Sequence, residues 1–315
     1  MARRIVLDTD IGTDVDDALA LALALASPEV ALVAVTTVSG DARLRARIAG
    51  RLLALAGRAD VPVHAGCETP LAAGGGFARF GHEGRDILDG TRDAIADEPA
   101  VDALLRLFRA DEGLELVAVG PLTNIAVALE RDPGLARRIA RLTLMGGWIR
   151  GAVIGGNGLP PAVDYNLCSD SVASERVLSA GIPTRLVPAD VTVQVWLTEA
   201  DTEGLERAPS ALGRTLARAV RVWAPIQRDL FAGLGAPLAP EVMAFLHDPL
   251  ALACAYDESF CTVEELAIEP ATIAGVFRTL ERPPRTPGTF AMRCATAVDA
   301  ARFTDHVRRR LGLAA

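Results

Sequence analysis

Five carboxylates fall within ten residues near the amino end of the chain: Asp8, Asp10, Asp14, Asp16 and Asp17. An apolar run stops at Asp8, and the run Ala18–Ala26 behind them is made of alanine and leucine. This order predicts strand, acidic loop, helix. It places the acids at the carboxyl end of a strand, where open α/β sheets hold their ligands. So many like charges do not stay ionised together in a partly buried crevice without a counter-charge. Oxygen-only donors point to calcium or magnesium rather than zinc. The competing reading is a solvated loop that caps a helix, because Asp is favoured at helix N-termini in any case.

Other polar residues recur where strands are expected to end: Asp41, Asn124, Asp164 and Asn166, then His247 and Asp248. Loops that follow separate parallel strands converge on one edge of a sheet, so these residues can meet. Calcium takes roughly six to eight oxygens. Asp10, one of Asp16 and Asp17, Asp248 and a main-chain carbonyl near Val119 could supply the protein's share. The remaining carboxylates and amides suit a polyhydroxylated ligand such as a ribose. Several residues have a plainer reading. Asp8 sits nearest the strand and fixes the loop, Asn124 serves a turn or helix start, and Asp170 and Asp190 look like helix-start residues. His64 reads as a core or edge histidine and His306 as a surface one. His82, in a glycine-rich loop, and His247, beside an acid, are the histidines that could meet substrate.

The elements that must position these groups alternate along the chain. Strands are predicted at 4–7, 31–38, 61–65, 114–119, 142–145 and 184–187, with shorter ones around 266–268 and 289–294. Helices are predicted at 18–26, 41–56, 93–110, 169–180 and 300–311, with a helical pattern over 198–234 broken at Pro209 and Pro225. A further helix is expected near 250–256. The stretches 72–90 and 150–166 lack a core-forming period and read as loops. Alternation of this kind predicts one α/β domain over residues 1–315, a single open, mostly parallel sheet flanked by helices, Rossmann-like in plan.

Composition narrows the function. Half of the 315 residues are hydrophobic, so a sizeable core is available. The net charge of −8 argues against a nucleic-acid or membrane-surface binder. There is no lysine, so all 32 basic residues are arginine, which excludes lysine nucleophiles, Schiff bases and a P-loop lysine. The five cysteines are scattered, with no C-x-x-C pair, and read as reduced residues of a cytoplasmic protein. The apolar run Ala18–Ala26 is too short to span a bilayer, and Asp8 and Asp10 come too early for a signal peptide.

Asp8-Thr9-Asp10-Ile11-Gly12 with Asp16-Asp17-Ala18 resembles the N-terminal signature of the inosine–uridine-preferring nucleoside hydrolases. The likeness continues in order through Thr36-Thr37-Val38-Ser39-Gly40, Val119-Gly120-Pro121-Leu122-Thr123-Asn124, Leu144-Met145-Gly146-Gly147, Asp164-Tyr165-Asn166, His247-Asp248-Pro249 and Val298-Asp299 with Arg302-Phe303. It implies the nucleoside hydrolase fold and calcium-dependent hydrolysis of the N-glycosidic bond of ribonucleosides, releasing base and ribose. A homodimer or homotetramer is also implied. Asp10 then matches the general base and a metal ligand, Asp17 the bidentate ligand, Val119 the carbonyl ligand, and Asp248 a ligand that also meets ribose. Asp16, Asp164 and Asn166 match ribose contacts, Asn157 resembles another, and His247 matches a residue beside the leaving base.

The sequence departs from that pattern in three places. Asp14-Val15 places the paired aspartates two residues farther from Asp10, so Asp14 could replace Asp16 or Asp17 in either role. Asp41 stands beside the sugar where the family usually has Asn, and Asp164 stands where many members have Glu.

The chemistry of the implied reaction suits these residues. N-glycosidic cleavage develops positive charge on the sugar, so surrounding carboxylates stabilise the transition state more than the ground state. A cation lowers the pKa of water, Asp10 accepts the proton, and His247 or His82 would assist the leaving base. Two other readings compete. A magnesium-dependent phosphatase of the haloacid-dehalogenase type also begins with strand then Asp-x-Asp, but such enzymes generally need a later basic residue, often lysine. A non-catalytic calcium-dependent nucleoside- or sugar-binding protein is the other.

Overall fold

Arg3–Thr9 forms β1, and Ile5, Val6 and Leu7 in it are fully buried. An apolar run without alternation is the mark of a strand covered on both faces. The structure is a computed structural model that describes residues 2–73, 80–88, 95–154 and 156–313. Its other strands are β2 (Val30–Thr37), β3 (Val63–Ala65), β4 (Glu115–Ala118), β5 (Leu142–Met145), β6 (Ala152–Ile154) and β7 (Asn157–Leu159). They continue with β8 (Thr184–Val187), β9 (Trp196–Leu197), β10 (Ala244–Phe245), β11 (Cys261–Ile273), β12 (Val276–Arg282) and β13 (Phe290–Val298).

The main sheet runs β12-β11-β13-β8-β5-β4-β1-β2-β3. Every pairing from β13 across to β3 is parallel, and β11 is antiparallel to both its neighbours. This is the open, mostly parallel sheet that the alternation of elements predicts. β6–β7 and β9–β10 form two small antiparallel ribbons apart from it. Alternate residues of β1 enter different cores: Ile5 and Leu7 join one, while Val6 joins Ala34, Leu116 and Leu144 in the other. The sheet is therefore the wall between two apolar layers, and only its strand ends are left for polar chemistry.

The helix Asp16–Ala26 is buried from Asp16 through Ala24. It packs against β2, the helix His247–Tyr256 and the C-terminal helix Ala300–Leu311. Alternating Ala and Leu gives a good helix former with a small cross-section, which suits an element surrounded by others. No helix among the described residues is long and apolar enough to cross a membrane.

Several elements differ from the sequence expectation, each for a local reason. The helix expected from residue 93 begins at Ala100. Before it, Pro99 is extended and the Ala96 N–H donates to the Val63 carbonyl at 2.8 Å, extending the sheet edge instead; residues 93 and 94 lie outside the described residues. Pro225 does not break its helix, which runs unbroken over Ala211–Gly233. Both Pro225 and Arg221, whose carbonyl loses its partner, are exposed, so water can take the freed acceptor. The helix expected over 169–180 is split at Asp170, whose carboxylate accepts the Ala173 N–H at 3.1 Å and the Leu71 N–H at 2.8 Å. The strand β12 lies outside the sequence expectation: its more exposed face carries Arg278 and Arg282, and Glu281 ends the face that buries Phe277 and Thr279. The supposed loop 150–166 contains the β6–β7 ribbon.

A core substitution measures the packing of the central helix. Leu21→Ala should lower the unfolding free energy by about 2–5 kcal/mol. The change would be read as a lower urea midpoint with an unchanged slope.

Candidate active site at the carboxyl edge of the sheet

The site begins where β1 ends. Asp8 is fully buried, and its Oδ2 accepts hydrogen bonds from Thr36 Oγ1 at 2.5 Å and Asn124 Nδ2 at 2.8 Å. Asn124 also donates to the Thr37 carbonyl at 3.0 Å and accepts from the Cys67 N–H at 2.8 Å. These contacts pin three neighbouring strand ends together, so the plainer reading of Asp8 and Asn124 holds. Burial, which withholds water from the charged form, lifts the Asp8 carboxyl to about 7.

Gly12, at φ +115°, lets the chain turn out of Ile11 into the acidic loop. Asp14 stays local: its Oδ1 accepts the Val15 N–H at 2.6 Å and the Asp16 N–H at 3.3 Å. Asp16 and Asp17 open the first helix and meet Asp248, which lies in the first turn of His247–Tyr256. One oxygen from each of Asp16, Asp17 and Asp248 lies within 4.8 Å of the others, and all three residues are buried. Asp16 ties the group together. Its Oδ1 accepts the Asp17 N–H at 3.1 Å and its Oδ2 accepts the Asp248 N–H at 3.3 Å. Thr9 donates its hydroxyl to Asp17. Burial raises the carboxyls of Asp16, Asp17 and Asp248 well above the usual range, and repulsion from neighbouring aspartates raises them further.

Asp10 belongs to the same field. It is buried, and its charge adds to the upward push on Asp16, Asp17 and Asp248. Gly120 backs directly onto it, and a Cβ there would lie 2.8 Å from both the Asp10 amide nitrogen and Oδ1. The Val119 carbonyl, at the end of β4, accepts the Asn166 Nδ2–H at 2.9 Å. The second lone pair of that oxygen is left for another partner. Asn166 donates also to the Met145 carbonyl at 3.2 Å, so it bridges β4 and β5. Asp164 caps the helix Tyr165–Ser169 through the Leu167 N–H at 2.9 Å, and burial lifts it to about 6.

The two histidines differ in setting. His247 Nδ1 lies 2.6 Å from Thr192 Oγ1, and its ring centroid is 5.1 Å from that of Phe245. Burial pushes its pKa down to about 4, so the imidazole is neutral at neutral pH. His82 Nε2 lies 2.8 Å from the Thr13 carbonyl, and the ring packs beside Phe80 and Trp223 with centroids 6.1 and 5.8 Å away. Asp41 caps the helix Ala42–Leu55 by accepting the Leu44 N–H at 2.9 Å. Asn157 is exposed at the start of β7, and among the described residues its side chain makes no hydrogen bond to the acidic group.

One residue of the site was missed in the sequence. Arg45 is 3% exposed and lies inside the acidic loop. Its guanidinium donates to the Ser39 carbonyl at 2.7 Å, the Ile11 carbonyl at 3.1 Å, Thr13 Oγ1 at 3.0 Å and, closely, the Asp10 carbonyl. Its charge lowers the carboxyls of Asp10 and Asp17, opposing their burial. The signal was its place on the helix: Arg45 shares the buried stripe of Ala42, Ala46, Ala49 and Leu52. A charged residue on an apolar stripe implies a buried partner.

An oxygen-only group of buried acids, held by backbone N–H donors and one arginine, suits a hard divalent cation. Residues 5–305 match the family described as inosine–uridine preferring nucleoside hydrolase. The chain belongs to that family. The pyrimidine-specific ribonucleoside hydrolase RihA of Enterobacter sp. (strain 638) is 36% identical over 279 residues, covering 84% of this chain and 82% of the relative. A plant nucleoside hydrolase superposes with a TM-score of 0.83 at 28% identity, covering 99% of each chain. A purine-preferring ribonucleoside hydrolase from Gardnerella vaginalis does so at 0.82 and 27%, covering 98% of each. The chain is accordingly a ribonucleoside hydrolase, an N-glycosyl hydrolase, and the phosphatase and non-catalytic readings are not favoured. Nucleoside hydrolases are in general metal-dependent, and the acidic group provides for that.

Two measurements probe the charge balance of this nucleoside hydrolase site. Arg45→Met should cost about 3–5 kcal/mol of stability, since it strands buried acceptors and removes the only guanidinium inside the loop among the described residues. Thermal unfolding and cation affinity by calorimetry would both register it. The raised carboxyls of Asp8 and Asp14, each near 7, mean that the folded protein binds more protons than the unfolded chain between about pH 4 and pH 7. Chelator-treated protein should therefore lose stability as pH rises through that window. An added divalent cation that this site binds should raise the melting temperature more at pH 8 than at pH 5.

Proposed function

We propose that this nucleoside hydrolase holds a calcium ion between Asp17 and Asp248, with Asp10 and the Val119 carbonyl completing the protein's share. The observation that carries the reading is the buried carboxylate group of Asp16, Asp17 and Asp248, raised by burial and by neighbouring aspartates and only partly offset by Arg45. Asp16, expected as a ribose contact, stands inside this group. It orients both proposed ligands through their N–H groups and keeps lone pairs for a ribose hydroxyl. When bound, such a cation neutralises the acids, engages ribose hydroxyls and makes water more acidic.

The chain's own residues do the rest. Asp10 accepts the proton of the attacking water; burial, partly opposed by the Arg45 charge, raises its carboxyl above the usual range and so makes it a better base. Asp164 and Asn166 hold the sugar hydroxyls, with Asp41 and Asn157 as further sugar contacts. The acids around C1′ favour the oxocarbenium-like transition state over the neutral nucleoside. His247, neutral and braced by Thr192, presents an N–H to the departing base as a hydrogen-bond donor. His82, Phe80 and Trp223 form an aromatic wall beside Thr13 on which a base can stack.

Purine and pyrimidine ribonucleosides with their 2′-deoxy counterparts, assayed for sugar release with and without chelator, test the reading. Calcium should restore activity to the stripped enzyme better than magnesium or zinc. Asp10→Asn should lower kcat by about 10²- to 10⁴-fold, the contribution of a positioned base, while the melting temperature holds. Full activity in that variant removes Asp10 from the mechanism.

A further inference from the structure

The amino edge of the sheet carries a second concentration of charge, opposite in sign to the active site. Arg3 opens β1, Arg141 immediately precedes β5, Arg185 lies in β8, and Arg293 sits beside Arg185 in register on β13. These four arginines line one cavity of about 400 Å³, together with Tyr256, Asp257 and Glu258. The carboxylates within reach are already engaged. Glu258 binds both Arg185 and Arg293, Glu115 binds Arg3, and Asp257 faces Arg302. Arg141 has no ion pair and no side-chain hydrogen bond among the described residues, although it is half-buried. Its charge repels that of Arg185, whose side chain is only 4% exposed.

An excess of guanidinium charge in a concave, partly dry place is unfavourable unless an anion completes it. The fork of arginine N–H groups matches the oxygens of a phosphate in charge and geometry. We propose that this cavity is a binding site for a phosphate group, either free phosphate or a nucleoside monophosphate, with Arg141 as its principal unshared donor. The acidic cluster at the opposite edge repels the same group, so phosphorylated and neutral ligands are sorted to opposite ends of the strands. One helix joins the two places. His247–Tyr256 carries Asp248 in its first turn and lines the cavity with Cys254, Ala255 and Tyr256 in its last.

Calorimetric titration of the whole enzyme with inorganic phosphate, and separately with uridine 5′-monophosphate, tests this. At least one probe should bind with millimolar affinity or better, and added salt should weaken it. Arg141→Gln should weaken that binding by about tenfold or more, equivalent to about 1.4 kcal/mol, and Arg141→Lys should recover part of it. Both variants should keep nucleoside hydrolysis at the wild-type rate, which also shows that they fold. Binding of phosphate alone identifies the free ion as the ligand, and binding only of the monoester identifies the nucleotide. Absence of binding by either probe at millimolar concentration, or equal binding by wild type and Arg141→Gln, overturns the proposal.

Discussion

The structure depends on how several like charges are kept together out of water. Asp10, Asp16, Asp17 and Asp248 are all buried, and burial raises each of their pKa values. Left alone, such a group either takes up protons or opens the fold to water. The chain provides a partial remedy from within. Arg45 supplies a full positive charge and spreads its donors over Ser39, Asp10, Ile11 and Thr13. Backbone N–H groups at the start of the first helix supply partial positive charge beside Asp16 and Asp17. The remaining deficit is what a hard cation answers, which is why structure and cofactor cannot be separated at this edge.

The sheet turns this local balance into an architecture. Because both faces of β1 are covered, polar chemistry is confined to the two ends of the strands. The carboxyl edge gathers acids and amides from the loops after β1, β2, β4 and β5. The amino edge gathers Arg3, Arg141, Arg185 and Arg293. The two layers of apolar side chains between them keep these fields from cancelling, since neither edge can rearrange toward the other without breaking a core.

Much of the acidic edge was legible in the chain because strand ends are easy to find and parallel loops must converge. Asp10, Asp17 and the Val119 carbonyl come from two such ends, whereas Asp248 is brought in by a helix that follows the separate β9–β10 ribbon, and Asp8 and Asn124 are braces, as their positions suggest. What the sequence hid was the origin of compensation. Arg45 lies among several arginines of one helix, and only its coincidence with the stripe of Ala42, Ala46 and Ala49 distinguishes it. The tie that Asp16 makes to the second acidic helix becomes visible only once Asp248, 232 residues away, is beside it. The edge strand β12 and the helix through Pro225 escaped for a different reason: exposed faces tolerate residues that local propensity would reject.

The length of the acidic loop gives Arg45 its meaning. Asp14-Val15 lies between Asp10 and the paired aspartates, and a longer loop ordinarily costs more entropy to hold in one shape. Asp14 satisfies the N–H groups of Val15 and Asp16, which starts the helix on time and leaves Asp16 and Asp17 on its first turn. Arg45 then clamps the outgoing half of the loop at Asp10, Ile11 and Thr13. Each end of the loop is thus fixed by a separate set of hydrogen bonds, and Asp10 and the helix-borne acids share one field across it.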